Sequence, residues 1–373
     1  MERDLFFISP LSDHELKQRK VEREQQDVRT EYFRDATAII HSSPFRRLKH
    51  KTQVFFSPKN DHICTRMEHV MHVSTISNVI CRSLGLDADL AWAIGLGHDL
   101  GHAPFGHIGE EILSEVLQEQ HSLRTFKHEI YGLRVVDKLV AKGKGLNLTY
   151  AVRDGIITHC GEKFEQSITP DLRIKPLETI TDRNFYPSTW EGCVMRMSDK
   201  IAYLGRDFED AVTLGIVRED DLPSIVQKVL GKNNAHIINT LTTDMIVTSE
   251  RTGQIGFSDD IFEAFTVLRK FNYESIYYSP ELTRFNTQLK KVLRTLYQHL
   301  LESLDKYQLN FDDYQKSKLP LDQRFGNYVE SMHPLYTAEN NLTPYAALDF
   351  IAGMTDNFAL DTLEELIIPQ RFK

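Results

Sequence analysis

Cysteine is scarce in this chain. Its 373 residues include four, Cys64, Cys81, Cys160 and Cys193, with no Cys-x-x-Cys pair, so neither a disulfide framework nor a thiolate zinc site is suggested. Long apolar runs are missing too. Nowhere do eighteen apolar residues follow one another, and the opening stretch MERDLFFISPLSDHELKQRK is charged within three residues and has no apolar h-region, which points to a cytoplasmic protein with no membrane partner. Excess basic charge is also absent: 44 Lys and Arg against 53 Asp and Glu give a formal net charge of −9. That balance argues against a dedicated duplex-binding protein, whose affinity comes from Lys and Arg facing the phosphates. Local basic clusters can still hold one phosphate chain, so nucleic acid stays open but not indicated. No P-loop, Gly-x-Gly-x-x-Gly fingerprint, nucleophile elbow or Ser-His-Asp order occurs.

What the chain does have is a 41% hydrophobic composition, enough for one large domain or two closely joined ones. Its periodicity is helical almost throughout. A polar N-terminal arm leads to a short helix in FRDATAIIHSS. A buried helix is expected from Thr65 to Leu84 with Gly85 as its stop. The next, DADLAWAIGLGHDLGH, has Asp87 or Asp89 as N-cap and small residues that permit close packing. Pro104 and Gly106 interrupt it, and helices resume in IGEEILSEVL and KHEIYGLRVVDKLV. The stretch from Gly161 to Pro187 reads as a loop, followed by a helix in STWEGCVMRMSDKIAYLGRDFEDAV. Further amphipathic helices follow Leu222, with one short β-hairpin expected at DMIVTSERTGQIGF, turning at Arg251-Thr252-Gly253.

Eight of the fifteen histidines fall between positions 62 and 128. A lone histidine is usually a satisfied core or surface residue, but His98 and Asp99 stand side by side at the end of an apolar helix. There a carboxylate is costly to bury unless it is paired or bound to a cation. His102 follows four residues later, a spacing that would put it on the face of His98, while His107 and Glu110 are three apart on the next helix. His69 and His72, three apart on the preceding helix, offer a nitrogen ligand from across the site. Mixed imidazole and carboxylate donors suit manganese, magnesium or another transition metal.

These residues resemble the HD-domain superfamily: a His, a His-Asp pair and a distant Asp, here His69, His98-Asp99 and Asp199. Within it, FRRLKHKTQVF, HDLGHAPFGHIGEE, FKHEIYGLRVV, GLNLTYAVRDGI, DKIAYLGRDFEDA and DFIAGMTDNFA, in that order across residues 29–357, resemble the deoxynucleoside triphosphate triphosphohydrolases, the dGTPase-like group. To the one short hairpin read from the turn signal, the resemblance adds an all-α fold with an HD-domain helical core and additional C-terminal helices. It divides the chain into an arm and substrate-binding segment (1–61), a metal-binding catalytic core (62–215) and a helical C-terminal region packed on it (216–373). It implies a divalent metal on His69, His98, Asp99 and Asp199, and catalysis by His107 with Glu110, assisted by His102 and His128. Arg66 and Lys200 would contact phosphates, Gln53, Tyr203 and Asp207 the deoxyribose, and Arg47 the substrate more loosely. Tyr203 and Phe208 serve equally well as helix core, and Arg46 and Lys49 read as a solvated face.

The implied reaction is hydrolysis of a dNTP to deoxynucleoside and inorganic triphosphate by a homo-oligomer, such as a hexamer. Another HD phosphohydrolase, a nucleotidase or phosphodiesterase, and a catalytically silent nucleotide sensor are the alternatives. One position departs from the pattern: relatives often carry an acidic residue shortly after the first metal histidine, where this chain has His72.

Overall fold

The computed structural model describes residues 7–23, 27–56, 60–121, 125–161 and 163–368; the charged first six residues lie outside them. The fold is all-α, as expected, and among the described residues no helix is long and apolar enough to cross a membrane. Helix α1 spans Glu31–Ile40, α2 Arg66–Leu84 and α3 Ala88–Gly97. Helix α2 opens with a reciprocal cap in which the Glu68 carboxylate accepts from the Thr65 amide at 2.7 Å, and it stops at Gly85, whose φ of 74° suits a residue without Cβ. Helix α3 is apolar on all sides and therefore interior. Its cap is Asp87, which accepts from the amides of Asp89 and Leu90. Gly95 lets it lie directly on α2, because a Cβ there would stand 2.6 Å from Ser74 Oγ.

Helices α4 (Gly106–His121), α5 (His128–Arg134), α6 (Tyr150–Thr158) and α7 (Trp190–Thr213) complete the N-terminal half. Helix α3 is surrounded by α1, α2, α6 and α7. The polar arm before α1 is strapped to this bundle rather than free. The Arg19 guanidinium, nearly fully buried, pairs with Asp35 at 2.5 Å, and the other Asp35 oxygen accepts from the Thr149 amide at 2.8 Å.

The expected hairpin at residues 244–257 is not formed. Helix α8 runs Asn234–Thr252 through its first half, and Gly253, φ 70°, is the helix stop rather than a hairpin turn. Buried Ile237, Leu241, Met245 and Thr248 repeat at helical spacing, and that packing overrides the β-branched Ile246, Val247 and Thr248. Strand β2 (Ile255–Gly256) instead pairs antiparallel with β1 (Ser167–Ile168), from the loop before α7. Helices α9 (Asp259–Asn272), α10 (Asn286–Tyr307), α11 (Pro320–Glu339), α12 (Leu342–Ala352) and α13 (Asp356–Ile367) form the C-terminal half. Helix α10 lies against α4, α12 and α13, and so braces the N-terminal half.

Candidate metal centre and active site

Three elements deliver the first cluster. His69 sits one turn into α2, His98 caps the C-terminus of α3 with Asp99 directly after it, and Asp199 lies midway along α7. His69 Nε2 is 3.0 Å from Asp199 Oδ1 and 3.8 Å from Asp99 Oδ2, and His98 Nε2 is 3.4 Å from Asp99 Oδ1. His98 donates Nδ1–H to the Gly95 carbonyl at 2.7 Å, which fixes the tautomer and leaves Nε2 buried, without a hydrogen-bond partner, and aimed at the carboxylates. Burial pushes its pKa down to about 4, so the lone pair is free at neutral pH. Burial opposes ionisation of Asp199, but the hydrogen bond and charge of His69 outweigh it and hold the carboxyl at about 2. An imidazole nitrogen with a free, buried and unpartnered lone pair set among ionised carboxylates is what a divalent cation requires. The residues present fit such an ion.

The second cluster is adjacent. His102 Nε2 is 3.1 Å from Asp99 Oδ1, and its ring stacks on that of His128 with centroids 3.8 Å apart. His128 donates Nδ1–H to Glu110 Oε2 at 2.7 Å, while His107 Nδ1 is 3.8 Å from the same oxygen and its side chain is 74% exposed. Glu110 therefore makes its shortest contact to His128, with the His107 that the sequence paired with it farther from the same oxygen. Against its burial, the charge of Glu110 raises the His128 pKa well above the ordinary value. The helical-face argument for His98 and His102 also fails, because α3 ends at Gly97 and residues 98–101 form a turn. What brings them together is Asp99, with a carboxylate oxygen near each ring. Gly101 permits the turn to touch α5, since a Cβ there would overlap the His128 carbonyl and the Gly132 amide.

That turn is held from its rear. Lys51 Nζ donates to the carbonyls of His102 and Ala352, and Asp356 accepts from the amides of Thr52 and Phe105 at 2.9 and 2.8 Å. Phe105 is at φ 66°, a left-handed conformation that costs a bulky residue about 1–2 kcal/mol and persists where its surroundings impose it. Asp356 holds the Phe105 amide in that conformation, and the Phe105 ring packs on Phe56.

The residues assigned to substrate divide into two sets. Asp199, Tyr203 and Asp207 are four apart on α7 and share one face. Asp207 is buried, accepts from the Tyr277 hydroxyl at 2.6 Å, and is raised by burial to about 7. Lys200, lowered to about 8 by burial and then by the charge of Arg196, lies 3.6 Å from Glu165. The Gln53 carbonyl oxygen Oε1 is buried without a partner. Arg66 is 1% exposed, with Nη1 2.5 Å from Asp99 and further bonds to the Thr52 and Gln53 carbonyls, so its first task is to hold Asp99. Arg47 is elsewhere: it lines a cavity of about 390 Å³ with Lys51, Leu100, Tyr131 and Phe358, and no residue of either cluster lines it. Arg46 and Lys49 are exposed. His72 is half-buried beside α7, lowered by burial and the charge of Arg206, and belongs to neither cluster.

Sequence reasoning missed His159, Cys160, Glu129 and Arg183. His159 caps α6 as His98 caps α3, and the shared pattern of an apolar helix ending in His was the available signal. Arg183, from the loop after β1, bridges Glu110 at 3.2 Å and Glu129 at 2.8 Å.

Residues 66–175 match the HD domain family, and residues 255–365 match the phosphohydrolase-associated domain; Asp199 lies between the two. The chain is 37% identical over 365 residues to a deoxyguanosinetriphosphate triphosphohydrolase-like protein of Caldanaerobacter subterraneus subsp. tengcongensis, covering 97% of this chain and 93% of that one. It is 36% identical over 373 residues to a like-named protein of Desulfatibacillum aliphaticivorans, covering 99% and 97%. A third so named, from Clostridium tetani, is 36% identical over 95% of this chain and 90% of its own length.

Proposed function

The chain belongs to the deoxyguanosinetriphosphate triphosphohydrolase-like family of HD-domain phosphohydrolases, and from that premise we propose that it hydrolyses dNTPs to deoxynucleoside and inorganic triphosphate. The observation that carries this reading is the junction of the two clusters at Asp99, with one oxygen toward His98 and a donor group, His128, one ring away. A divalent ion on His69, His98, Asp99 and Asp199 would supply Lewis-acid polarisation of a phosphoryl oxygen. Glu110 holds the His128 proton on Nδ1 and presents Nε2 to the site, so His128 is the group we assign to protonating the departing 5′-oxygen. His107, exposed at the rim, reaches the triphosphate as it enters.

Selection of a deoxyribose is assigned to the α7 face. Tyr203 would lie under the sugar and exclude a 2′-hydroxyl by contact, and Gln53 Oε1 and Asp207 would receive the 3′-hydroxyl. A triphosphate carries about three to four negative charges, which Lys200 and the metal would share.

Purified protein with dGTP and Mn²⁺ or Mg²⁺ tests the reading. Release of triphosphate and deoxyguanosine is expected, whereas orthophosphate from dGMP alone would transfer the site to a nucleotidase. Binding of dNTP without turnover would make the protein a sensor.

A further inference from the structure

Three side chains beside the proposed active site remain without a task as a group. His159 donates Nδ1–H to the Ile156 carbonyl at 2.7 Å, and His128 donates Nδ1–H to Glu110 at 2.7 Å. Each ring is thereby fixed with Nε2 facing the other. The two Nε2 atoms stand 3.3 Å apart, Cys160 Sγ is 3.4 Å from His128 Nε2, and all three donor atoms lie within 4.8 Å of one another. We propose that His128, His159 and Cys160 form a second metal site, adjoining the His69, His98, Asp99 and Asp199 set through His159, which takes Zn²⁺ and stops hydrolysis by occupying His128.

The distances support zinc in particular. Bond lengths of about 2.0–2.1 Å to imidazole and about 2.3 Å to thiolate put the edges of a tetrahedron at about 3.3–3.4 Å between nitrogens and about 3.5–3.6 Å between nitrogen and sulfur. The observed 3.3 and 3.4 Å lie close to these without rearrangement. A thiolate selects zinc over magnesium and manganese, which prefer the oxygen donors of the first site. Both histidines already carry the outer partner typical of metal-bound imidazole, a carboxylate on one and a backbone carbonyl on the other. Cys160 is only partly buried, which leaves an entry path. The missing Cys-x-x-Cys pair excluded four-cysteine sites but not a single thiolate completed by histidines from two helices.

Occupation has a chemical consequence. A zinc ion on His128 Nε2 uses the lone pair that would otherwise carry the transferred proton, so the ion competes with catalysis while the first site keeps its own metal. None of this depends on which nucleotide is the substrate.

Cobalt(II) is the probe. Titrated into metal-free protein, it is expected to fill two sites per chain and to give a near-ultraviolet sulfur-to-cobalt charge-transfer band, because the first site has no sulfur. Cys160→Ser is expected to lose the band and one equivalent of metal. No band in the wild type, or a band that survives in Cys160→Ser, overturns the proposal. A second measurement needs no variant: Zn²⁺ should slow alkylation of Cys160, mapped by mass spectrometry, at least tenfold, and an unchanged rate overturns the site. With Mn²⁺ present, Cys160→Ser should need at least tenfold more Zn²⁺ than the wild type for half-inhibition; equal sensitivity would overturn the inhibitory role.

Discussion

The turn from His98 to Gly106 has two sides, and they are built on opposite principles. On the front, side chains converge: His98, Asp99 and His102 face donors from α2, α5 and α7, and charge is concentrated where burial makes it costly. On the rear, the backbone is gripped by two groups far away in sequence, Lys51 and Asp356, and Arg47, Lys51 and Asp349 are the charged groups lining an otherwise largely apolar cavity. The front determines what chemistry is available, and the rear determines whether the front keeps its shape. Substitutions on the two sides should therefore fail differently, the front by losing metal or turnover in an intact fold, the rear by losing stability first.

The strongest test of that contrast is Asp199→Ala. It removes a charged donor of the first cluster and should abolish metal binding at that cluster and turnover together, by more than the roughly 100-fold that marks loss of an outer partner. Unchanged metal content by elemental analysis would take Asp199 out of the metal centre. Next is Asp356→Ala on the rear, which leaves the Thr52 and Phe105 amides without their acceptor. At about 1–3 kcal/mol for each buried unsatisfied group, the melting temperature should fall by several degrees while metal content holds. If metal is lost and stability kept, the division between the two sides is wrong.

A smaller effect, and a pH-dependent one, is expected at Asp207. Its carboxyl keeps its proton up to about pH 7 in the fold, whereas in the unfolded chain it ionises near 4. Unfolding between those values releases a proton, so this group makes the protein less stable as pH rises from about 4 to 7, and the penalty is complete above 7. Asp207→Asn, which still accepts from Tyr277, should melt a few degrees above the wild type at pH 8 and level with it near pH 4. An equal gap at both pH values would refute the buried proton. The smallest effect should come from Arg47→Met. If Arg47 belongs to the rear, KM for dGTP stays within about threefold, below 1 kcal/mol; a tenfold rise would return Arg47 to the substrate.

The sequence made the front legible and left the rear hidden, for a physical reason. Helices α2, α3 and α7 announce themselves by apolar period and by caps such as Thr65, Asp87 and Gly85, and their histidines and acids sit in short motifs. Lys51 and Asp356 act on backbone groups, Lys51 across as many as 301 positions, and such ties leave no local pattern. His159 escaped notice because its neighbours read as an ordinary apolar helix. The hairpin at residues 244–257 was expected because β-branched residues there favour strand locally, and only packing against α7 shows the helical period to be dominant.

Gly101 works by subtraction. The thickness of one methyl group keeps the His98–Asp99 end of α3 in register with the imidazole at the start of α5, because the turn and helix meet backbone to backbone at that residue. An alanine would act as a shim between the two clusters, pushing them apart with every side chain still present. Reacting groups tolerate about 1 Å of such displacement poorly, losing on the order of 100-fold in rate. The spacing of the two clusters is thus written in an atom the chain does not have.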